Sequence, residues 1–171
     1  MEVFPDIVID QLSEKLANLI TDKLEAASLS QPLVIVDLFY HYADVYLPLI
    51  SYLTIDQLEK ALGSGGFLLL EEKTGSISID PEPVEEQMEQ MMELEWNQEG
   101  LHDIGRKMIR KTASILNKTR LWSRVPTHDL FGAYAADVTI EGHSREEWEE
   151  ILTSCGMNEL QRAAWRRLGF F

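Results

Sequence analysis

A single cysteine, Cys155, is all that the 171 residues contain, so an intrachain disulfide and a multi-cysteine zinc site are both excluded. A chain of this kind suits a reducing compartment, and Cys155 is expected to serve as a small buried hydrophobe. Long apolar runs are missing too: none approaches the roughly 18 residues a bilayer span requires. The first ten residues, MEVFPDIVID, carry acids where a secretory leader carries bases, so the expected location is cytoplasmic, with no membrane contact. Bases are scarce, 15 Lys and Arg against 29 Asp and Glu, for a net charge of −14. Such a balance repels nucleic acid phosphates and anionic lipid while attracting a basic protein or a cation. Direct nucleic acid binding is not expected.

Signature motifs of catalysis are equally lacking. There is no HExxH, GxSxG, P-loop or GxGxxG, and the GSGG stretch has no Lys-Ser/Thr after it to complete a phosphate cradle. No catalytic residue, metal ligand set or cofactor is therefore assigned.

What the chain does contain is a core. Hydrophobic residues make up 45% of it, with four Trp, five Tyr and six Phe, enough at this length for one domain with a substantial interior. Residues 5–27 place Val8, Leu12, Leu16, Leu19, Ile20 and Leu24 at helical spacing. PLVIVDLFY reads as a buried strand and residues 45–52 as a second extended segment. Thr54 is a cap for TIDQLEKALG, in which Ile55, Leu58 and Leu62 share a face and Gly63 ends the helix. FLLLEEKTGSISID reads as a hairpin turning at residues 73–75. Further on, Leu101, Ile104, Met108, Thr112, Ile115 and Leu116 continue a helical face. Residues 130–140 read as a strand whose small side chains admit a close neighbour. Ser144 and Glu147 form a capping-box pattern, and Gly156 separates that helix from a last one carrying Leu160, Ala164, Trp165 and Leu168. The expectation is an α+β fold: one helix-rich domain over residues 1–171 with a small, mainly antiparallel sheet.

The most unusual stretch is EEQMEQMMELEW, residues 85–96, with five acids, three methionines and no base. Val84, Met88, Met91 and Met92 step by three and four, which gives a helix with a buried stripe and puts Glu85, Glu86, Glu89 and Glu93 on its other faces. The wider region 71–99 holds ten acids against Lys73, whereas residues 106–124 hold seven bases and no acid. Two arrangements follow. Either the two segments pair internally, or the acidic face stays open and captures a basic surface. In the second case Glu82, Glu85, Glu86, Glu89 and Glu93 are the partner-binding residues, with Tyr42 and Tyr46 of the aromatic stretch 40–52 as anchors.

Four histidines are spread along the chain, and two are followed by Asp, in LHDIG and THDLF. Carboxylates orient imidazole in dyads and metal shells, so His102 and His128 are the candidates for an alternative reading as a small enzyme or metal-binding protein with a His/Asp/Glu pocket. A third reading is a scaffold or regulatory subunit whose Trp165, Leu168, Phe170 and Phe171 pack on another chain, self-association being open.

Two stretches, VDLFYHYADVYLPLISYLTIDQLEKAL and TASILNKTRLWSRVPTHDLFGAYAAD, together resemble bacterial cytosolic immunity-type domains of polymorphic toxin systems. The residues that carry the resemblance are Tyr46, Leu47, Pro48, Thr54, Trp96, Trp122, Thr127, Asp129 and Phe131. It implies an α/β scaffold and a protein-binding module without cofactor: an acidic immunity protein or inhibitor that occludes a basic toxin or nuclease.

Overall fold

The computed structural model describes residues 6–40, 47–63, 75–96, 103–118, 123–137 and 141–171, and within these spans the side chains of residues 61, 63, 92, 94–96 and 103 are left aside. In chain order the elements are α1 (Asp6–Ala26), β1 (Leu33–Phe39), β2 (Leu49–Thr54), α2 (Ile55–Gly63), β3 (Gly75–Ile77), α3 (Glu85–Trp96), α4 (Asp103–Leu116), β4 (Thr127–Ala136), α5 (Arg145–Ser154) and α6 (Glu159–Arg167). The fold is a helix-rich α+β domain, as the sequence implies.

The four strands lie in the order β3-β2-β1-β4. Two of the three pairings, β3 with β2 and β2 with β1, are antiparallel; β1 and β4 run parallel. β1 is buried along LVIV because helices cover both faces of the sheet. A register shift between Leu33 and Ile35 breaks the alternation of its side chains. Leu33, Val36 and Leu38 therefore join the core beneath α1 and α4, while Val34 and Ile35 both enter the core beneath α2 and α6.

α1 buries Ile9, Leu12, Leu16, Ile20 and Leu24 together with Ser13, Ala17 and Thr21. The small residues at every fourth position let α4 approach closely. There the Ser13 hydroxyl reaches the Ile9 carbonyl at 2.7 Å and the Met108 carbonyl of α4 at 3.0 Å, so a buried polar atom stays satisfied. Val84, Met88 and Met91 are 1%, 5% and 0% exposed, which makes the methionine stripe a core-facing one. Met92 lies outside the described side chains.

β4 begins earlier than expected, at Thr127, and leaves the sheet after Ala136; residues 138–140 of the expected strand lie outside the described residues. Its small residues have the anticipated consequence. A Cβ on Gly132 would lie 2.7 Å from Met157 Cε and 2.7 Å from Trp165 Cζ2, so only glycine lets α6 and its approach pack there. Trp165 Nε1 donates to the Leu130 carbonyl at 2.8 Å and Gln161 Nε2 to the Phe131 carbonyl at 2.9 Å.

Caps follow the sequence in part. Thr54 precedes α2, with its N–H donating to Gln57 Oε1 at 2.8 Å. Ser144 Oγ accepts from the Glu147 N–H at 3.1 Å, but the Glu147 carboxylate takes the N–H of His143, one residue before the cap. The reciprocal capping box belongs to Asn158 and Gln161 at the start of α6. Two apolar assignments need correction: Leu62 is 39% exposed and Leu160 81%. Leu58, with Ile55 partly buried beside it, and Trp165 fill the space beneath the sheet from those helices. The expected hairpin falls mostly on residues 67–74, outside the described residues; Gly75–Ile77 of it pairs with β2.

Candidate functional site

Among the described residues the ion pairs of the basic segment go to α1 and Glu141, and none joins it to Glu85, Glu86 or Glu89. Along α4, Lys107 reaches Asp6 at 2.6 Å and Lys111 pairs with Asp10, a ladder in which both helices advance by four residues. Arg124 pairs with Asp22 at 2.8 Å and with Glu25. Arg106 and Arg110 turn to Glu141. Five of the seven bases, Arg106, Lys107, Arg110, Lys111 and Arg124, are thus met by α1 and by Glu141, because α1 lies along the charged flank of α4. Hydrogen bonding and attraction from Lys107 hold the Asp6 carboxyl below its ordinary range.

Glu82, Glu85, Glu86, Glu89 and Glu93 are all exposed. Among the described residues no Lys or Arg reaches Glu85, Glu86 or Glu89. The helix is held by its other faces: the buried stripe below, and Lys15 Nζ donating to Gln87 Oε1 at 2.9 Å. Residues 75–96 carry seven acids and no base, so this is a rigidly mounted negative surface. The two aromatic anchors expected beside it, Tyr42 and Tyr46, lie outside the described residues.

A second polar centre, not anticipated from sequence, occupies the corner where the parallel strands β1 and β4 end. Tyr40 follows β1 and Asp137 follows β4. Glu141 Oε2 accepts from the Tyr40 hydroxyl at 2.8 Å and from the Asp137 N–H at 3.0 Å; Oε1 accepts from Arg110 Nη2 at 3.0 Å and lies 3.2 Å from Arg106 Nε. The carboxylate side chain is 12% exposed. Burial, and then the hydrogen bond to Glu141, push the Tyr40 hydroxyl well above its ordinary value, so it serves as a donor. The only sequence trace of this centre is the i, i+4 pair Arg106 and Arg110 on one helix face; Glu141 looks like any acid in an acidic chain.

On the opposite face of the sheet Asp37 and Tyr134 stand side by side in register. Burial, then the charge and hydrogen bond of Asp37, raise the Tyr134 hydroxyl well above its ordinary value. The Tyr134 ring meets Trp148 and Trp165 edge to face, with centroids 5.6 and 5.9 Å away, and Trp165 stacks on Phe170 at 4.7 Å. The C-terminal aromatics expected to pack on another chain are in good part used here, with Trp165 only 2% exposed.

The His/Asp/Glu pocket is not assembled among the described residues. His128 Nδ1 accepts the Leu130 N–H at 3.1 Å, a local turn bond, and His143 is exposed; His41 and His102 lie outside the described residues. No three His, Cys, Asp or Glu side chains among the described residues converge as metal ligands. Cys155 is fully buried, and burial pushes its thiol up to about 11, which leaves it protonated and inert at neutral pH. No helix of the described residues is long and apolar enough to cross a membrane.

Comparison with protein-family models, curated proteins and solved structures gave no match. Of the residues that carry the immunity-type resemblance, Pro48 is buried, Leu47 exposed, Thr54 precedes α2, Thr127 opens β4, Asp129 is exposed and Phe131 is core. Tyr46, Trp122 and the Trp96 side chain lie outside the described residues.

Proposed function

We propose that the protein is a protein-binding module in which the outer face of α3 captures a basic partner. In its concrete form it is an immunity protein or inhibitor that covers the active site of a basic toxin or nuclease. One observation carries this reading: the nearby bases of α4 and Arg124 are met by α1 and Glu141, while Glu85, Glu86 and Glu89 are exposed with no cation opposite them among the described residues.

The packed stripe holds the backbone of the helix, so binding orders only the exposed carboxylate side chains and not the segment that carries them. Their field draws a cationic surface in from about a Debye length, ~8 Å at physiological salt. Occlusion follows when the partner's Lys and Arg around its substrate cleft dock on Glu82, Glu85, Glu86, Glu89 and Glu93. Such an interface gains association rate more than intrinsic affinity from its charges. The test is the association rate of a captured partner at low and high salt: a fall of at least tenfold supports the reading, and a rate indifferent to salt refutes it.

A further inference from the structure

The corner at the ends of β1 and β4 holds more donors than its internal anion uses. Both oxygens of Glu141 are engaged, by Tyr40 and Asp137 on one side and by Arg110 and Arg106 on the other. Yet Arg110 Nε is buried and meets no hydrogen-bond acceptor among the described residues. A guanidinium presents two parallel N–H groups to an oxyanion, and here one edge is half used. A planar carboxylate has no third oxygen to offer; a tetrahedral phosphate does. The place is also the one where open sheets with parallel strands bind ligands, beyond the carboxyl ends of adjacent strands. The Asp137 side chain is 1% exposed in the same corner, so a phosphate can enter in exchange for Glu141 and not beside it. Glu141 suits such an exchange. Arg106 and Arg110 are fixed on α4 and Tyr40 directly follows β1, whereas Glu141 sits on the connection between β4 and α5, ahead of Gly142 at φ +75°.

We propose that Tyr40, Arg106 and Arg110 form a site for inorganic phosphate, closed by Glu141 as an internal occupant that the ion displaces. The proposal is independent of the acidic face of α3.

Inorganic phosphate titrated into the full chain at constant ionic strength, followed by amide chemical shifts and calorimetry, tests it. The wild type should show one saturable site with shifts at residue 137 and residues 141–145. Glu141→Gln removes a tethered competitor, which raises apparent affinity by the fraction of sites freed, and should bind at least tenfold more tightly. Arg110→Lys keeps the charge but loses the two-pronged edge and should bind at least tenfold more weakly. The proposal is overturned by a wild type with no saturable shifts at these residues, or by equal affinity of wild type and Glu141→Gln. If Glu141→Gln does not fold, the wild type against Arg110→Lys decides: equal binding overturns it.

Discussion

Asn117 pairs with Ala133 as a neighbouring strand would: its Oδ1 accepts the Ala133 N–H at 2.8 Å and its Nδ2 donates to the Ala133 carbonyl at 2.8 Å. The same Nδ2 lies 2.7 Å from the Cys155 carbonyl, and Cys155 Sγ accepts the Ala135 N–H at 3.3 Å. With Gln161 on the Phe131 carbonyl, side chains from the residue after α4, the residue after α5 and from α6 close the outer edge of β4. A partner cannot add a strand there without displacing them.

Asn117→Ala should therefore be among the more destabilising single changes in the chain. It strands the buried N–H and carbonyl of Ala133, at about 1–3 kcal/mol for each group left unsatisfied. Urea unfolding monitored by circular dichroism measures it; a loss below ~0.5 kcal/mol would mean that the amide does not hold the edge.

At Gly132 the issue is space. Ala there places its Cβ within 2.7 Å of Met157 Cε and Trp165 Cζ2. Met157 can yield, but the Trp165 ring is held by Leu130 and Phe170. Gly132→Ala should cost about 1–3 kcal/mol as overpacking and alter the near-ultraviolet signal of Trp165. An unchanged spectrum and midpoint would contradict the packing described for α6.

The acids of α3 should behave in the opposite way. Replacing Glu85, Glu86 and Glu89 together by Gln removes no hydrogen bond or ion pair seen among the described residues, so stability should stay within about 0.5 kcal/mol per site or rise slightly as repulsion is relieved. A thermal shift series against Glu141→Gln, which strips the charge from a largely buried site with three hydrogen-bond donors and a second arginine, provides the contrast. Cooperative loss of stability on neutralising α3 would show that its carboxylates serve the fold.

Acid should weaken the last helix in a defined window. Hydrogen bonds from Arg166 and then Arg162 hold the Glu159 carboxyl below its ordinary value. A carboxyl lowered on folding contributes stability above its unfolded value, roughly 4.3, and loses it as the pH falls through the folded value. The difference in Tm between wild type and Glu159→Gln should thus be full at pH 7 and shrink as the pH is taken below the ordinary carboxylate range. A difference constant across that range would contradict the pairing.

Local rules made much of this fold legible. The stripe of α1, the strand LVIVDLF, the small residues of β4 and the Met88 and Met91 stripe each depend on periodicity or size within one segment. Long-range choices were not legible. Nothing in the sequence states that α1 lies along α4, so the partners of Lys107, Lys111 and Arg124 could not be read, and pairing with residues 71–99 stayed one of two alternatives. Leu160 and Leu62 show the same limit, since helical spacing marks a face without saying how much of it the sheet covers. The Glu141 centre joins residues 31 and 101 positions apart, a relation that only the parallel pairing of β1 with β4 creates.

The most direct test of the central claim is differential capture. Wild type and a variant with Glu82, Glu85, Glu86 and Glu89 all replaced by Gln are immobilised, exposed to the same native lysate, and the retained proteins quantified. The account predicts a basic protein held by the wild type, released by salt and absent from the variant. Identical retained sets on the two columns would contradict it.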